Sequence, residues 1–283
     1  MPCSLQGAVM KKKRPPAKRG GQGRPAPSRA DRWSGDGAVR VPEGRWYISG
    51  MNGVLECLES PHVKPETIWV ARSGVTPDLW KKLEPNQRIL EELRGKETQY
   101  GPVVQGIAAL VREPNWPDLD EIIDAVVDKG EQPLVVALDQ VEDPMNLGQI
   151  LRTCEGAGVD AVLLPKHRSV HMNQTVAQIS QGAFAWVPAL EIGNLRNTLE
   201  SLKERGLWVY GCESGPKAKS WHQCDFSGGM VLVMGAEGKG LRDLTRKTCD
   251  QLAELPMKGR INSLNVGAAT AAFLYEVARQ RCL

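Results

Sequence analysis

No apolar run in this chain approaches the roughly 20 residues that a helix needs to cross a bilayer, so the sequence predicts no membrane helix. Cysteine is sparse and dispersed: seven residues lie between Cys3 and Cys282 with no Cys-x-x-Cys pair. An odd, unclustered set argues against a disulfide framework or a thiolate zinc site and for reduced thiols in a cytoplasmic compartment. The four histidines, His62, His167, His171 and His222, lack metal-ligand spacing, so no metal is expected. Nucleotide fingerprints are missing too. The one Gly cluster, Gly235-Ala-Glu-Gly-Lys-Gly240, is spaced G-x-x-G-x-G and comes late in the chain. A dinucleotide site needs G-x-G-x-x-G after an early strand, and a P-loop needs Lys-Ser/Thr where Leu241 stands. Nicotinamide-dependent dehydrogenases and NTPases are therefore disfavoured.

The chain does have a strong charge asymmetry. Its formal net charge is +3, yet residues 1–45 carry 11 Lys/Arg against 3 Asp/Glu, and the remainder 25 against 30. Lys11-Lys-Lys-Arg-Pro-Pro-Ala-Lys-Arg19 and the Gly/Pro/Arg stretch after it cannot build a core, so residues 1–44 are read as a disordered basic tail. Such a tail suits salt-sensitive contacts with phosphates; a solubilising leader is the alternative. No apolar segment follows the basic cluster, so it does not read as a secretory signal.

At 283 residues with 41% hydrophobic and 24% charged residues, the chain fits a globular protein with one large domain and a smaller one. Residues 45–111 read as a small α/β module: strands at 46–50, 67–71 and 105–111, and helices at 51–60 and 77–95. Pro114 and Pro117 mark a linker, and residues 112–132 hold that linker and a first helix over 119–129. From 133 onward strands are expected at 133–139, 161–164, 186–190, 207–211, 230–234 and 251–255. Helices are expected at 147–156, 173–181, 195–205, near 241–248 and at 265–280. Regular alternation with near-continuous apolar strands argues for a parallel sheet with helices on both faces.

Three segments in this second region carry chemistry. In the first, a strand ends at Asp139, Asp143-Pro144 makes a turn, Asn146 is positioned to cap the next helix, and Arg152 lies six residues on. In the second, an apolar strand runs into Val233-Met-Gly-Ala-Glu-Gly-Lys-Gly240. In the third, Leu255-Pro-Met-Lys-Gly-Arg-Ile-Asn-Ser-Leu-Asn-Val-Gly-Ala-Ala269 leads from a short strand into an Ala-rich helix. Two glycine-permissive loops at strand C-termini form a crevice where backbone N–H groups meet a nucleoside ligand.

In order and content these segments resemble the three motifs of the SPOUT superfamily, TrmH (SpoU) branch. The likeness is dense over 133–283 and extends to Pro165-Lys-His-Arg-Ser169, Gly182-Ala183 and Val187-Pro188. It is looser over 45–111, where Gly50-Met-Asn-Gly-Val54 and Gln105-Gly-Ile107 echo the family's N-terminal substrate-binding module. Val104, Gly267 and a shortened stretch around Lys96 to Pro102 depart from the pattern and bear on the RNA target.

The resemblance implies methyl transfer from S-adenosylmethionine to a ribose 2′-hydroxyl of RNA. Within the family the nearest likeness is to enzymes that modify a guanosine of large-subunit rRNA. A tRNA ribose methyltransferase, an antibiotic-resistance rRNA methyltransferase and a non-catalytic ribosome-assembly factor are the alternatives. The resemblance also implies a C-terminal trefoil knot, a homodimer, no DNA partner and no metal. It assigns the catalytic set to Arg152, Asn146, Glu237, Ser263 and Asn265. It places the methyl donor on backbone groups of Gly235, Leu255 and Leu264, with Gly211 and Met257 nearby. A guanidinium is always protonated and makes a poor base, so Arg152 is expected to orient a phosphate and stabilise the developing alkoxide. Asn146, Ser263 and Asn265 would hold Arg152 and the ribose, and Glu237 would order the second-motif loop or Arg152.

Overall fold

The computed structural model describes residues 39–71, 76–261 and 263–281; the reading of residues 1–38 as tail lies outside them. The first part of the chain runs β1 (Arg45–Ser49), α1 (Met51–Glu59), β2 (Pro65–Ala71), α2 (Pro77–Leu83), β3 (Leu90–Leu93), β4 (Glu97–Thr98), β5 (Gly101–Pro102) and β6 (Ile107–Arg112). After α3 (Leu119–Asp128) come β7 (Leu134–Asp139), α4 (Pro144–Gly156), β8 (Ala161–Pro165), α5 (Gln174–Ile179), β9 (Ala189–Ile192) and α6 (Leu195–Glu204). The last part runs β10 (Trp208–Cys212), β11 (Lys219–Ser220), β12 (Met230–Gly235), α7 (Asp243–Thr248), β13 (Gln251–Glu254) and α8 (Val266–Gln280). No described helix is long and apolar enough to cross a membrane.

Seven strands form one parallel sheet in the order β11-β13-β10-β12-β7-β8-β9. Successive strand side chains point to opposite faces. Leu134, Val136 and Leu138 of β7 therefore join Val162, Leu232 and Met234 under α4 and α8, which contribute Leu147, Ile150, Leu151, Phe273 and Leu274. Val135 and Ala137 join Val209, Val231 and Val233 on the other face, under Ile123 of α3 and Leu195, Leu199 and Leu202 of α6. Both faces are covered, which is why these strands read as unbroken apolar runs.

The small sheet has the order β1-β6-β2-β3. Its edge strand β1 would expose unpaired N–H groups, a liability that proteins cover. Two side chains one turn apart on α5 cover it. Gln174 Oε1 accepts from Tyr47 N (3.2 Å) and Gln178 Oε1 from Ser49 N (2.8 Å), while Gln178 Nε2 donates to Ser49 O. Phe184 and Ala185 also pack into the small sheet's core, and Ser60 Oγ donates to Ala185 O.

Three boundaries differ most from the sequence expectation. The helix expected over 77–95 stops at Leu83; a 3₁₀ stretch spans Glu84–Ile89, and Leu90–Leu93 pairs parallel with β2. Pro85 has no N–H to extend the helix, and the apolar Leu90 and Leu93 fit either period until β2 offers a partner. The strand expected over 186–190 begins only at Ala189, because Ala183–Ala185 turns and Trp186 donates its ring N–H to Glu56. Helix α4 starts at Pro144 rather than 147, and its cap is Asp143, whose Oδ1 accepts from Met145 N at 2.9 Å. Proline is favoured at the first helical position because its missing N–H has no partner there anyway. Asn146 therefore lies inside the first turn and does not cap.

The C-terminal helix closes with a buried carboxylate. Glu276 is 8% exposed and accepts from Arg279 and Gln280. Its pKa is lowered from 4.5 to about 2, first by the hydrogen bond from Arg279, against an opposing desolvation. A depressed folded-state value gives stability that is present above the unfolded pKa and lost as pH falls through the folded one. The urea midpoint is expected to fall as pH drops from 4.5 toward about 2, and to fall less steeply in Glu276→Gln; parallel curves for the two would contradict this.

Candidate active site

The carboxyl ends of β10, β12 and β13 surround a cleft of about 390 Å³. It lies beside β12, where the strand order turns back: β7 to β9 build outward one way, β10 and β13 the other. Ligands of open α/β sheets bind outside the strand carboxyl ends at such a switch point. Its walls come from Cys212 to Ser214, from Gly235 to Gly238 with Gly240, from Glu254, Leu255 and Met257, and from Ser263, Leu264 and Val266 with Phe273.

Glycine at 235 is required by close approach. A Cβ there would sit under 3.0 Å from the carbonyl carbon and oxygen of Gly240 and from the nitrogen of Leu241, all backbone atoms. The loop doubles back tightly, with Gly240 N donating to Ala236 O at 2.9 Å. Its backbone is thus presented to the cleft with no side chain in the way.

The charge of the cleft is one-sided. Glu213, Glu237 and Glu254 line it, and no Lys, Arg or His is among the lining residues. Arg246 pairs with Glu213, but Glu237 and Glu254 have no ion pair among the described residues, so a cationic ligand is favoured over a phosphate-bearing one. Burial pushes the Cys212 thiol well up, so it stays protonated and is a poor nucleophile. Among the described residues no group of three or more His, Cys, Asp or Glu could hold a metal ion.

Of the expected donor-binding residues, Gly235, Leu255, Met257 and Leu264 line the cleft. Gly211 does not. It lies inside β10, where a Cβ would meet Leu241 and Leu252 at 2.8 Å and Cys249 at 2.9 Å. Packing on the helix-covered face demands glycine there; the next residues, Cys212, Glu213 and Ser214, form the wall. Glu213, Ser214 and Glu254 did not stand out in the sequence. Their only signal was position, just past or at the end of an apolar strand.

Of the expected catalytic set, the structure joins Asn265 and Asn146. Asn265 Nδ2 donates to Asn146 Oδ1 at 2.9 Å. Asn265 also caps α8, its Oδ1 accepting from Gly267 N at 2.9 Å and Ala268 N at 3.4 Å. Two backbone donors fix which end of that amide is oxygen, so its nitrogen faces Asn146 and must meet an acceptor. Asn146 Nδ2 then has no acceptor among the described residues and is available as a donor. Neighbours of Asn265 on both sides, Leu264 and Val266, line the cleft.

Arg152, Glu237 and Ser263 have no hydrogen bond or ion pair among the described residues. Arg152 is exposed on α4, six residues beyond Asn146 and about 9 Å further along the axis at 1.5 Å per residue. Glu237 and Ser263 line the cleft.

Comparison with known proteins agrees with this architecture. The SpoU rRNA Methylase family model matches residues 133–275. The 23S rRNA (guanosine-2′-O-)-methyltransferase RlmB of Pseudomonas aeruginosa is 47% identical over 240 residues, covering 83% of this chain and 96% of that protein. The protein of the same name from Pseudomonas putida is 37% identical over 241 residues, with the same coverage of 83% and 96%. Among solved structures, the SpoU methyltransferase AviRb from Streptomyces viridochromogenes, crystallised with AdoMet, superposes with a TM-score of 0.68. At 21% identity, covering 84% of this chain and 91% of that one, it shares the fold. The chain belongs to the SpoU rRNA methylase family.

Proposed function

We propose that the chain transfers a methyl group from S-adenosylmethionine to a ribose 2′-hydroxyl of RNA, its target a guanosine of large-subunit rRNA in the cytoplasm. The observation that carries this reading is the acidic, glycine-walled cleft, which runs through Leu264 and Val266 to the bonded pair Asn265 and Asn146. The family and the names of the two Pseudomonas relatives support the substrate class.

The cleft fits the donor by its chemistry. A sulfonium nucleoside is cationic at its reactive centre, and the carboxylates of Glu237 and Glu254, which have no ion pair among the described residues, suit it. Backbone at Gly235, Leu255 and Leu264, with Met257 beside them, would hold it. When bound, the donor supplies a methyl group already activated on sulfur, so the protein's task is orientation. Asn146, held by Asn265, offers its Nδ2 as donor to a ribose oxygen and stabilises charge developing there. Arg152, permanently charged and without an ion pair among the described residues, takes the phosphate of the target nucleotide and fixes the hydroxyl in line. The hydroxyl proton leaves through that phosphate or water. Ser263 and Glu237 line the approach, Glu237 adding negative potential for the cation.

The small sheet with its Gly50 and Gln105 turn is assigned to RNA capture. The chain is further assigned a trefoil knot at its C-terminal end, supported by β13 joining the sheet outside β10 while α8 crosses to α4. Experimental coordinates with an unknotted backbone path would remove it. Two copies are expected to pair through α4 and α8, whose Met145 and Tyr275 are exposed. An active monomer at micromolar concentration in sedimentation would refute the dimer.

Labelled S-adenosylmethionine with total RNA tests the reaction. Label should enter rRNA in alkali-resistant linkages at a guanosine. Label in tRNA alone would move the substrate, and no label with any RNA would favour the non-catalytic assembly factor. Removing residues 1–44 is expected to weaken RNA binding and to flatten its salt dependence, by about 0.7 in log–log slope for each single-strand phosphate no longer neutralised. An unchanged slope would make the tail a leader only.

A further inference from the structure

The second-motif loop enters the cleft wall at Gly235 and leaves it at Leu241. At the exit, two consecutive backbone N–H groups are each taken by a carboxylate from a different flanking strand. Leu241 N donates to Glu213 Oε1 at 3.0 Å, and Arg242 N donates to Asp139 Oδ2 at 2.9 Å. Glu213 follows the end of β10 and Asp139 is the last residue of β7, the two strands that pair with β12 on either side.

Each carboxylate is in turn held by an arginine from just beyond the loop. Arg246 Nε donates to Glu213 Oε2 at 2.5 Å and its Nη2 to Glu213 Oε1 at 3.0 Å; the same Nη2 also reaches Leu241 O at 2.9 Å. Arg242 Nε donates to Asp139 Oδ1 at 2.6 Å. Asp139 is fully buried, and charge-assisted hydrogen bonds of this kind are short and strong. The loop exit is therefore pinned from both sides, each grip combining a hydrogen bond from a backbone N–H with an ion pair. Glu237, inside the loop, takes no part.

We infer that Glu213 and Asp139 are positioning residues for the methyl donor: they set the backbone of the 235–241 loop in its donor-binding shape. The inference rests on the reading of the cleft as the donor site. Neither carboxylate needs to touch the reacting atoms. Their loss should weaken donor binding because the loop must then be ordered at the moment of binding, which lowers apparent affinity in proportion to the competent fraction. It should leave the methyl-transfer step and the RNA contacts alone.

Calorimetry with S-adenosylhomocysteine on the full chain, paired with steady-state kinetics, tests this. Glu213→Ala is expected to raise Kd for that product and KM for the donor about 10-fold or more, with kcat and KM for RNA within about threefold of the parent. Glu213→Gln, whose amide oxygen still accepts from Leu241 N, should recover most of the affinity. Arg246→Gln, at a half-exposed side chain, should give an intermediate loss and decides the matter if Glu213→Ala fails to fold. Unchanged Kd in Glu213→Ala, or in Arg246→Gln when that variant must decide, overturns the inference while the donor reading stands. A loss confined to kcat also overturns it. If the parent chain binds no S-adenosylhomocysteine, the donor reading fails and takes the inference with it.

Discussion

Arg152→Ala is expected to lower kcat by about 10²-fold or more, the cost of a ribose hydroxyl no longer held in line, while Kd for S-adenosylhomocysteine stays within about twofold. The side chain's position is the reason. It is exposed on α4 and has no hydrogen bond or ion pair among the described residues, so its removal breaks none of those. Alanine is the strongest helix former, and an exposed helical site of this kind changes stability by no more than about 0.5 kcal/mol. The melting temperature should therefore hardly move, which separates a catalytic defect from a folding one. Arg152→Lys keeps the charge but not the planar fork that grips a phosphate through two bonds, so it should recover only part of the rate. Turnover within threefold of the parent in Arg152→Ala would remove Arg152 from the mechanism.

Gly235→Ala should damage the same reaction from the donor side. The added methyl would press on backbone atoms of Gly240 and Leu241, and backbone cannot rotate away as a side chain can. The loop must shift as a body, against the grip of Glu213 and Asp139 on its exit. Overpacking of this sort costs about 1–3 kcal/mol, and the shifted cradle should lose donor affinity by about tenfold or more, since each 1.4 kcal/mol is a factor of ten. Gly259→Ala is the control. It lies in the third-motif loop with nothing within 4 Å of where an added methyl would stand, so melting temperature and donor affinity should both hold. Equal behaviour of the two variants would show that the cleft tolerates a moved loop.

Much of this molecule was legible in its residues. Alternating apolar strands and helices from 133 onward predicted the parallel sheet, and the family resemblance of three motifs pointed to the strand ends where the cleft lies. Gly235, Leu255, Met257 and Leu264 were named from the sequence and line the cleft. The misreadings share a cause. Leu90 and Leu93 satisfied a helical period, and only the presence of β2 alongside made them a strand. Gly211 was expected beside the donor from the family resemblance, and the closeness of Leu241, Leu252 and Cys249 gives it a packing reason to be glycine. Asn146 stood where a cap is expected, yet Asp143 took that role and left Asn146 for Asn265.

Local chemistry along the chain determined which segments become strands, which become helices and which turns need glycine, because those preferences depend on neighbours a few residues away. The partnerships across the fold were decided by the tertiary structure alone. Glu213 and Asp139 lie 74 positions apart in the numbering of the chain and converge on consecutive amides only because β10 and β7 flank β12. Asn146 and Asn265 meet across 119 residues because α4 and α8 share one face of the sheet. A carboxylate or an amide has many suitors in a sequence, and strand order selects the one within hydrogen-bond reach.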